Sequence, residues 1–204
     1  SVAADWTVTA LGLDGGGALY VGGQFTQLAG VARAGLGKVQ VDGTVDSDWN
    51  PAPDGMVRSL TIDDAASLVY VGGGFTAIGG GTINAVARLS ASGNGALDAS
   101  WNPQVVSFSS NYVSHIIPDG QGSIFLAGGF TSVGGVGRQF IAKVSEAPGA
   151  ALDETWAPMP SAFSTVIPAL GDDGWLYVSG SFTSIGGLPR NRYARLETSG
   201  TGAA

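Results

Sequence analysis

The sequence predicts an all-β protein, a β-propeller of about four four-stranded blades forming one domain over residues 1–204. A phrase of a dozen residues recurs four times, and its marker phenylalanines, Phe25, Phe75, Phe130 and Phe182, stand 50, 55 and 52 residues apart. Apolar alternation of period two fills the intervals, and no window shows helical periodicity or a capped helix. Four short strands in roughly 50 residues, repeated with Gly and aromatic signatures, is the pattern of a propeller blade. A β-solenoid is the rival architecture, but its coils are usually shorter.

Within each unit the elements follow in a fixed order. An apolar strand runs into an Asp/Gly turn, as in "LGLDGGG", "LTIDDAAS", "IIPDGQGS" and "LGDDG". The phrase itself comes next: "LYVGGQFTQLAG", "VYVGGGFTAIGG", "IFLAGGFTSVGG" and "LYVSGSFTSIGG". It reads as the second strand of a blade and the turn after it. Each Phe is preceded two residues earlier by Gly23, Gly73, Gly128 or Gly180, and followed by Thr26, Thr76, Thr131 or Thr183. A third strand carries a small residue, a cation and an aliphatic, with cations at Lys38, Arg88, Lys143 and Arg195. A turn then leads to "VDSDWNP", "LDASWNP" and "LDETWAP".

The fourth unit stops after "ETSGTGAA", while Asp5-Trp6 near the start matches Asp48-Trp49. The N-terminal strand is therefore expected to complete the last blade and close the ring without an open edge. Two copies, or a longer parent chain, sharing strands in a larger ring is the alternative. The chain begins at Ser1 with no apolar leader, which fits a processed product, an excised domain or an incompletely traced chain.

Composition narrows the classes of function. Charged residues make up only 12% and apolar residues 44%, enough for a packed core and unlike a disordered chain. No apolar run is long enough to cross a bilayer as a helix, so no membrane insertion is expected. A net charge of −7 opposes a nucleic-acid partner, which requires a basic stripe. Cysteine is absent, which removes disulfides, thiolate metal sites and cysteine nucleophiles.

The "LYVGGQFT" phrase with "GG…AR", the cation–aliphatic pair and "LDxxWNP" resembles the delta-60 type repeat of bacterial β-propeller proteins. The resemblance covers essentially the whole chain. It implies an exported or surface-attached bacterial propeller, often part of a longer protein, and it implies no established activity. Where the family usually has Phe, this chain has Trp49, Trp101 and Trp156. Ile83 stands where the other units have Arg33, Arg138 and Arg190, and Ala157 replaces Asn50 and Asn102.

The candidate site residues follow from repetition. Trp49, Trp101 and Trp156 read as packing between blades or, alternatively, as an aromatic shelf for a glycan. Arg33, Arg138 and Arg190 read as solvated loop residues or as ligands for an anion. Asp46, Asp98 and Asp153 are expected to cap turns. The Asp/Gly turns offer oxygen ligands of the kind that hold calcium, but no Asp-x-Asp-x-Asp-Gly loop is present, and no cofactor is expected. The glycines lie beside strands with no helix following, so they form no phosphate cradle.

His115, the sole histidine, has no partner for a catalytic triad evident in the sequence. The reading is accordingly a non-enzymatic exported propeller. It would be structural, adhesive or protein-binding, with a protein partner or self-association at a surface. A lectin-like glycan binder is the alternative, and a glycan hydrolase with acids converging from several blades is a third reading. The copies differ most around "GGGTINA", "SFSSNYVSH" and "PSAFST", where function is expected to lie.

Overall fold

The structure is a computed structural model that describes residues 3–106, 112–161 and 166–204. The described residues form strands and turns without a helix, as predicted. Two compact units divide the chain, Ser1–Asn102 and Pro103–Ala204. Each unit contains two three-stranded antiparallel sheets.

In the first unit, sheet 1 comprises Thr7–Leu13, Leu19–Gln24 and Leu36–Val39, and sheet 2 comprises Val57–Asp63, Leu68–Gly73 and Val86–Ser90. In the second, sheet 3 comprises Val113–Pro118, Ser123–Gly128 and Ile141–Ser145, and sheet 4 comprises Val166–Leu170, Trp175–Gly180 and Tyr193–Glu197. In every sheet the second strand lies between the first and third. The expected fourth strand contracts to single bridges, Val39 to Val45, Leu89 to Leu97 and Val144 to Leu152. The Asp that follows each bridge, Asp46, Asp98 or Asp153, turns the chain away before a ladder can extend. In sheet 4 the amide of Glu197 donates to the carbonyl of Ala203 at 2.9 Å, which begins the same hairpin.

The end of the repeated phrase is a hairpin of its own. Gln27–Leu28 pairs with Val31–Ala32, and the other units repeat this with Ala77–Ile78, Ser132–Val133 and Ser184–Ile185. Its two-residue turn is Ala29-Gly30 in the first unit of the repeat and Gly-Gly in the rest, with positive φ at both positions. A tight hairpin of this twist demands that conformation, which explains why the phrase ends in "AG" or "GG".

The Gly two before each Phe serves a different need. The register of the first strand shifts between Val8 and Ala10, between Val57 and Ser59, and between Val113 and His115. At each bulge the chain passes so close that a Cβ on Gly23, Gly73 or Gly128 would collide with the carbonyl of Thr7, Met56 or Tyr112. Only glycine fits there.

The cores lie between the paired sheets. Alternation along each strand gives a sheet two faces. In the first unit, Tyr20, Leu36 and Trp49 pack from the forward face of sheet 1 onto Val57, Val69, Val71, Ala87 and Leu89 on the rear face of sheet 2. In the second, Phe125, Ile141 and Trp156 pack from sheet 3 onto Val166, Leu176, Val178, Ala194 and Leu196 of sheet 4. Each such Val, Leu or Ile side chain contributes about 1.5–3 kcal/mol on full burial. A smaller cluster of Val21, Phe25, Leu28 and Val39 lies on the rear of sheet 1.

The N-terminal segment does not behave as expected. Ala4 bridges Leu28, and Asp5 accepts bonds from the amides of Thr26 and Gln27, both at 2.9 Å, and from the Thr26 hydroxyl at 2.6 Å. Asp54 does the same for Thr76 and Ala77. Asp5-Trp6 is thus the counterpart of Asp54-Gly55, and the segment is held by the small hairpin of the first repeat. The resemblance to Asp48-Trp49 is a coincidence of two residues, and Trp6 is 69% exposed where the other tryptophans of the motif are buried.

Candidate functional site

The "LDxxW" element is an Asx turn. Asp46 accepts the amides of Asp48 and Trp49 at 3.0 and 3.1 Å, and Asp153 those of Thr155 and Trp156, both at 3.1 Å. Asp98 accepts the amide and hydroxyl of Ser100. Partial burial pushes the carboxyl of Asp153 up, but the Thr155 hydroxyl and the two amides outweigh it, and the group stays below the usual carboxylate range.

The turn delivers Trp49 and Trp156 into the gap between the two sheets of their unit. Trp49, Trp101 and Trp156 have no exposed surface. Trp49 meets the Tyr20 ring edge-on at 5.0 Å, Trp101 meets Tyr70 at 5.5 Å, and Trp156 meets Phe125 at 5.0 Å. The indole of Trp49 donates to the carbonyl of Ser90 and that of Trp156 to the carbonyl of Glu197, so both polar tips are satisfied inside. Gly95 and Gly202 lie flat against these rings, where a Cβ would press at 3.1 and 2.9 Å. The aromatic shelf for a glycan is thereby corrected: a ring without exposed surface stacks on no sugar.

The loop arginines are also internal. Arg33 and Arg138 are buried, contrary to both sequence readings of them. Arg33 donates to the carbonyls of Ala32, Asp46 and Ser47, and Arg138 to the carbonyl of Glu154. Each guanidinium ties the small hairpin to the "LD" turn of its own repeat, and carbonyl dipoles take up its charge where an anion was expected. Arg190 is exposed, and its guanidinium donates to the carbonyl of the neighbouring Pro189. Ile83, the departure within "GGGTINA", is buried in the core of the first unit. That stretch therefore differs for packing.

The strand cations fall into three arrangements. Lys38 sits over the Tyr20 ring and donates to the carbonyl of Ala91 at 3.3 Å in the following sheet. Lys143 repeats this over Phe125, donating to Thr198 at 2.8 Å. Arg88 instead grips Asp98 through Nε and a terminal nitrogen at 2.9 and 2.6 Å. Arg195 stacks on Trp175 at 4.0 Å.

The Asp/Gly turns use most of their carboxylates within the loop, while Asp64 accepts the amide of Gly15 at 2.9 Å and Asp14 and Asp119 also pair with Lys38 and Lys143. Asp14 accepts the amide of Ala18, Asp119 those of Gln121 and Ser123, and Asp63 that of Ala66. A cleft of about 260 Å³ has Asp119, Lys143 and Asp172 on its walls. Among the described residues no three carboxylate or imidazole groups gather as a metal would require. His115 contacts the hydroxyl of Ser114 at 3.0 Å, and burial holds its pKa below the usual imidazole value. Residues 107–111 of "SFSSNYVSH" and 162–165 of "PSAFST" lie outside the described residues.

Exposed apolar surface marks what the sequence did not single out. The forward face of sheet 4 carries Tyr193, 58% exposed, beside Tyr177 and Ile167. The rear face of sheet 1 carries Val8, Leu11 and Leu13, the last two 62% and 67% exposed. Repetition hid these residues, since they occupy positions that are core elsewhere. The one signal was a tyrosine at 193 where the other copies have Leu36, Val86 and Ile141.

Four similar sheets, each followed by the same small hairpin and a buried Phe, and three of them sharing the same bulge, define a β-propeller repeat protein. The family described as Domain of unknown function (DUF5122) beta-propeller matches residues 69–100 and 172–202. These segments run from the second strand of sheet 2 and from the first turn of sheet 4 through the hairpins that follow, and they are the repeat that the sequence resembles. No curated protein matches the chain.

Proposed function

We propose that this chain is a four-bladed, non-enzymatic β-propeller that serves outside the bacterial cell as a structural, adhesive or protein-binding part. The exposed apolar sheet faces carry this reading. Leu11, Leu13, Ile167 and Tyr193 present flat hydrophobic surface, which fits a protein partner and suits no small polar substrate. The repeated Trp, Asp and buried Arg groups are meanwhile consumed by the frame. A charged fraction of 12% and 34 glycines suit a compact extracellular part.

The test is surface labelling of intact source cells with a membrane-impermeant reagent, together with adherence of a strain lacking the gene. Labelled protein and weakened adherence or cell-cell contact are expected. A protein found only inside the cell, with adherence unchanged, would sink the proposal.

A further inference from the structure

Each unit contains the same joint between its sheets. A forward face bearing an aromatic, an aliphatic and a cation (Tyr20, Leu36, Lys38, or Phe125, Ile141, Lys143) meets a rear face bearing Val57, Leu60 and Ile62, or Val166 and Leu170. The cation then donates across the joint, Lys38 to the carbonyl of Ala91 and Lys143 to that of Thr198.

Among the described residues, the forward face of sheet 4 and the rear face of sheet 1 are exposed. The forward face of sheet 4 has the same three positions, Tyr177, Tyr193 and Arg195, in the same register. Leu36, Val86 and Ile141, the counterparts of Tyr193, have no exposed surface at all. The rear face of sheet 1 presents Val8, Leu11 and Leu13 in the places of Val57, Leu60 and Ile62, and Val57 is fully buried while Val8 is exposed. Val41, the counterpart of Ala91 and Thr198, is exposed as well.

We propose that the forward face of sheet 4 docks on the rear face of sheet 1 of a second copy of this chain. The joint is the one already built twice inside each copy: Tyr177 and Tyr193 cover Val8, Leu11 and Leu13, and Arg195 donates to the carbonyl of Val41. Complementarity needs no new chemistry, because the same residue classes at the same register already pair. This inference deepens the proposed role by naming the partner, but its test uses the purified chain alone. It stands or falls whether or not the protein is exported.

The experiment is the mass of the full chain in solution with two variants, Tyr193→Glu and Leu11→Glu, each of which spoils one face. The wild type is expected at twice 20.4 kDa or a higher multiple, and each variant at 20.4 kDa. An equimolar mixture of the two variants restores a pair, since each retains the face that the other has lost. That rescue requires both variants to be folded. Should either fail to fold, Arg195→Glu and Leu13→Lys form the second pair. A wild type at 20.4 kDa overturns the proposal, whether its faces are open or covered within one chain. So does a dimer that both substitutions leave intact, or a mixture of folded variants that stays monomeric.

Discussion

The indole N–H of Trp49 reaches the carbonyl of Ser90 in the neighbouring sheet at 2.9 Å, and 107 residues later Trp156 makes the same bond to Glu197 at 2.8 Å. A repeated motif at the end of one blade is thus the bolt that fixes it to the next. The aromatic supplies burial, and the single polar atom fixes where the ring sits.

Trp49→Phe should keep the packing but strand the Ser90 carbonyl, at a cost of about 1–3 kcal/mol. Trp49→Ala should cost about 3–5 kcal/mol. Urea unfolding measures both. If Trp49→Phe is neutral, the hydrogen bond contributes nothing and burial alone explains the motif.

Arg33 and Arg190 hold equivalent places in the sequence but opposite ones in the structure. Arg33→Ala leaves the carbonyls of Asp46 and Ser47 without their buried donor, so the midpoint of thermal unfolding should drop by a stability loss of about 1–3 kcal/mol. Arg190→Ala, at an exposed site, should stay within about 0.5 kcal/mol of wild type. Equal effects would refute the distinction.

The frame was legible because its constraints recur. Period-two alternation, paired glycines with positive φ, and an Asp before a Trp each have one physical explanation, and four copies repeat them. What was not legible was the direction in which side chains point. A solvated Arg33 and an Arg33 buried among carbonyls have the same neighbours in sequence, and only the fold brings Asp46 and Ser47 to it. Likewise Asp5-Trp6 matched the wrong motif, because two residues carry less register information than the seven-residue strand that follows them. Apart from Tyr193, sheets 1 and 4 look like sheets 2 and 3 in sequence, so the exposure of Leu11 could come only from three dimensions.

The bulge glycines give a sharp contrast with other glycines. Gly73→Ala forces its Cβ into the Met56 carbonyl, so the backbone must shift, with an expected loss of about 1–3 kcal/mol or more. Gly137→Ala meets nothing within 4 Å and has no positive φ, so it should be neutral or slightly stabilising. Denaturant midpoints for the two variants should separate clearly, and coincident midpoints would remove the bulge as the reason for the repeated Gly.

Stability should fall in two acid windows. Burial lowers the pKa of His115, so the unfolded chain binds its proton more readily than the folded one. The contribution is complete above the ordinary value of 6.5 and is lost as pH falls from there through the folded value. Asp98 and Asp153 are each raised by partial burial but lowered further by their hydrogen bonds. Their contribution is present above the ordinary 3.8 and disappears as pH drops through the lower folded values. Urea unfolding followed from pH 7 to pH 3 should therefore show a first decline that His115→Gln abolishes and a second that it leaves in place. A first decline unchanged by His115→Gln would assign it to another group.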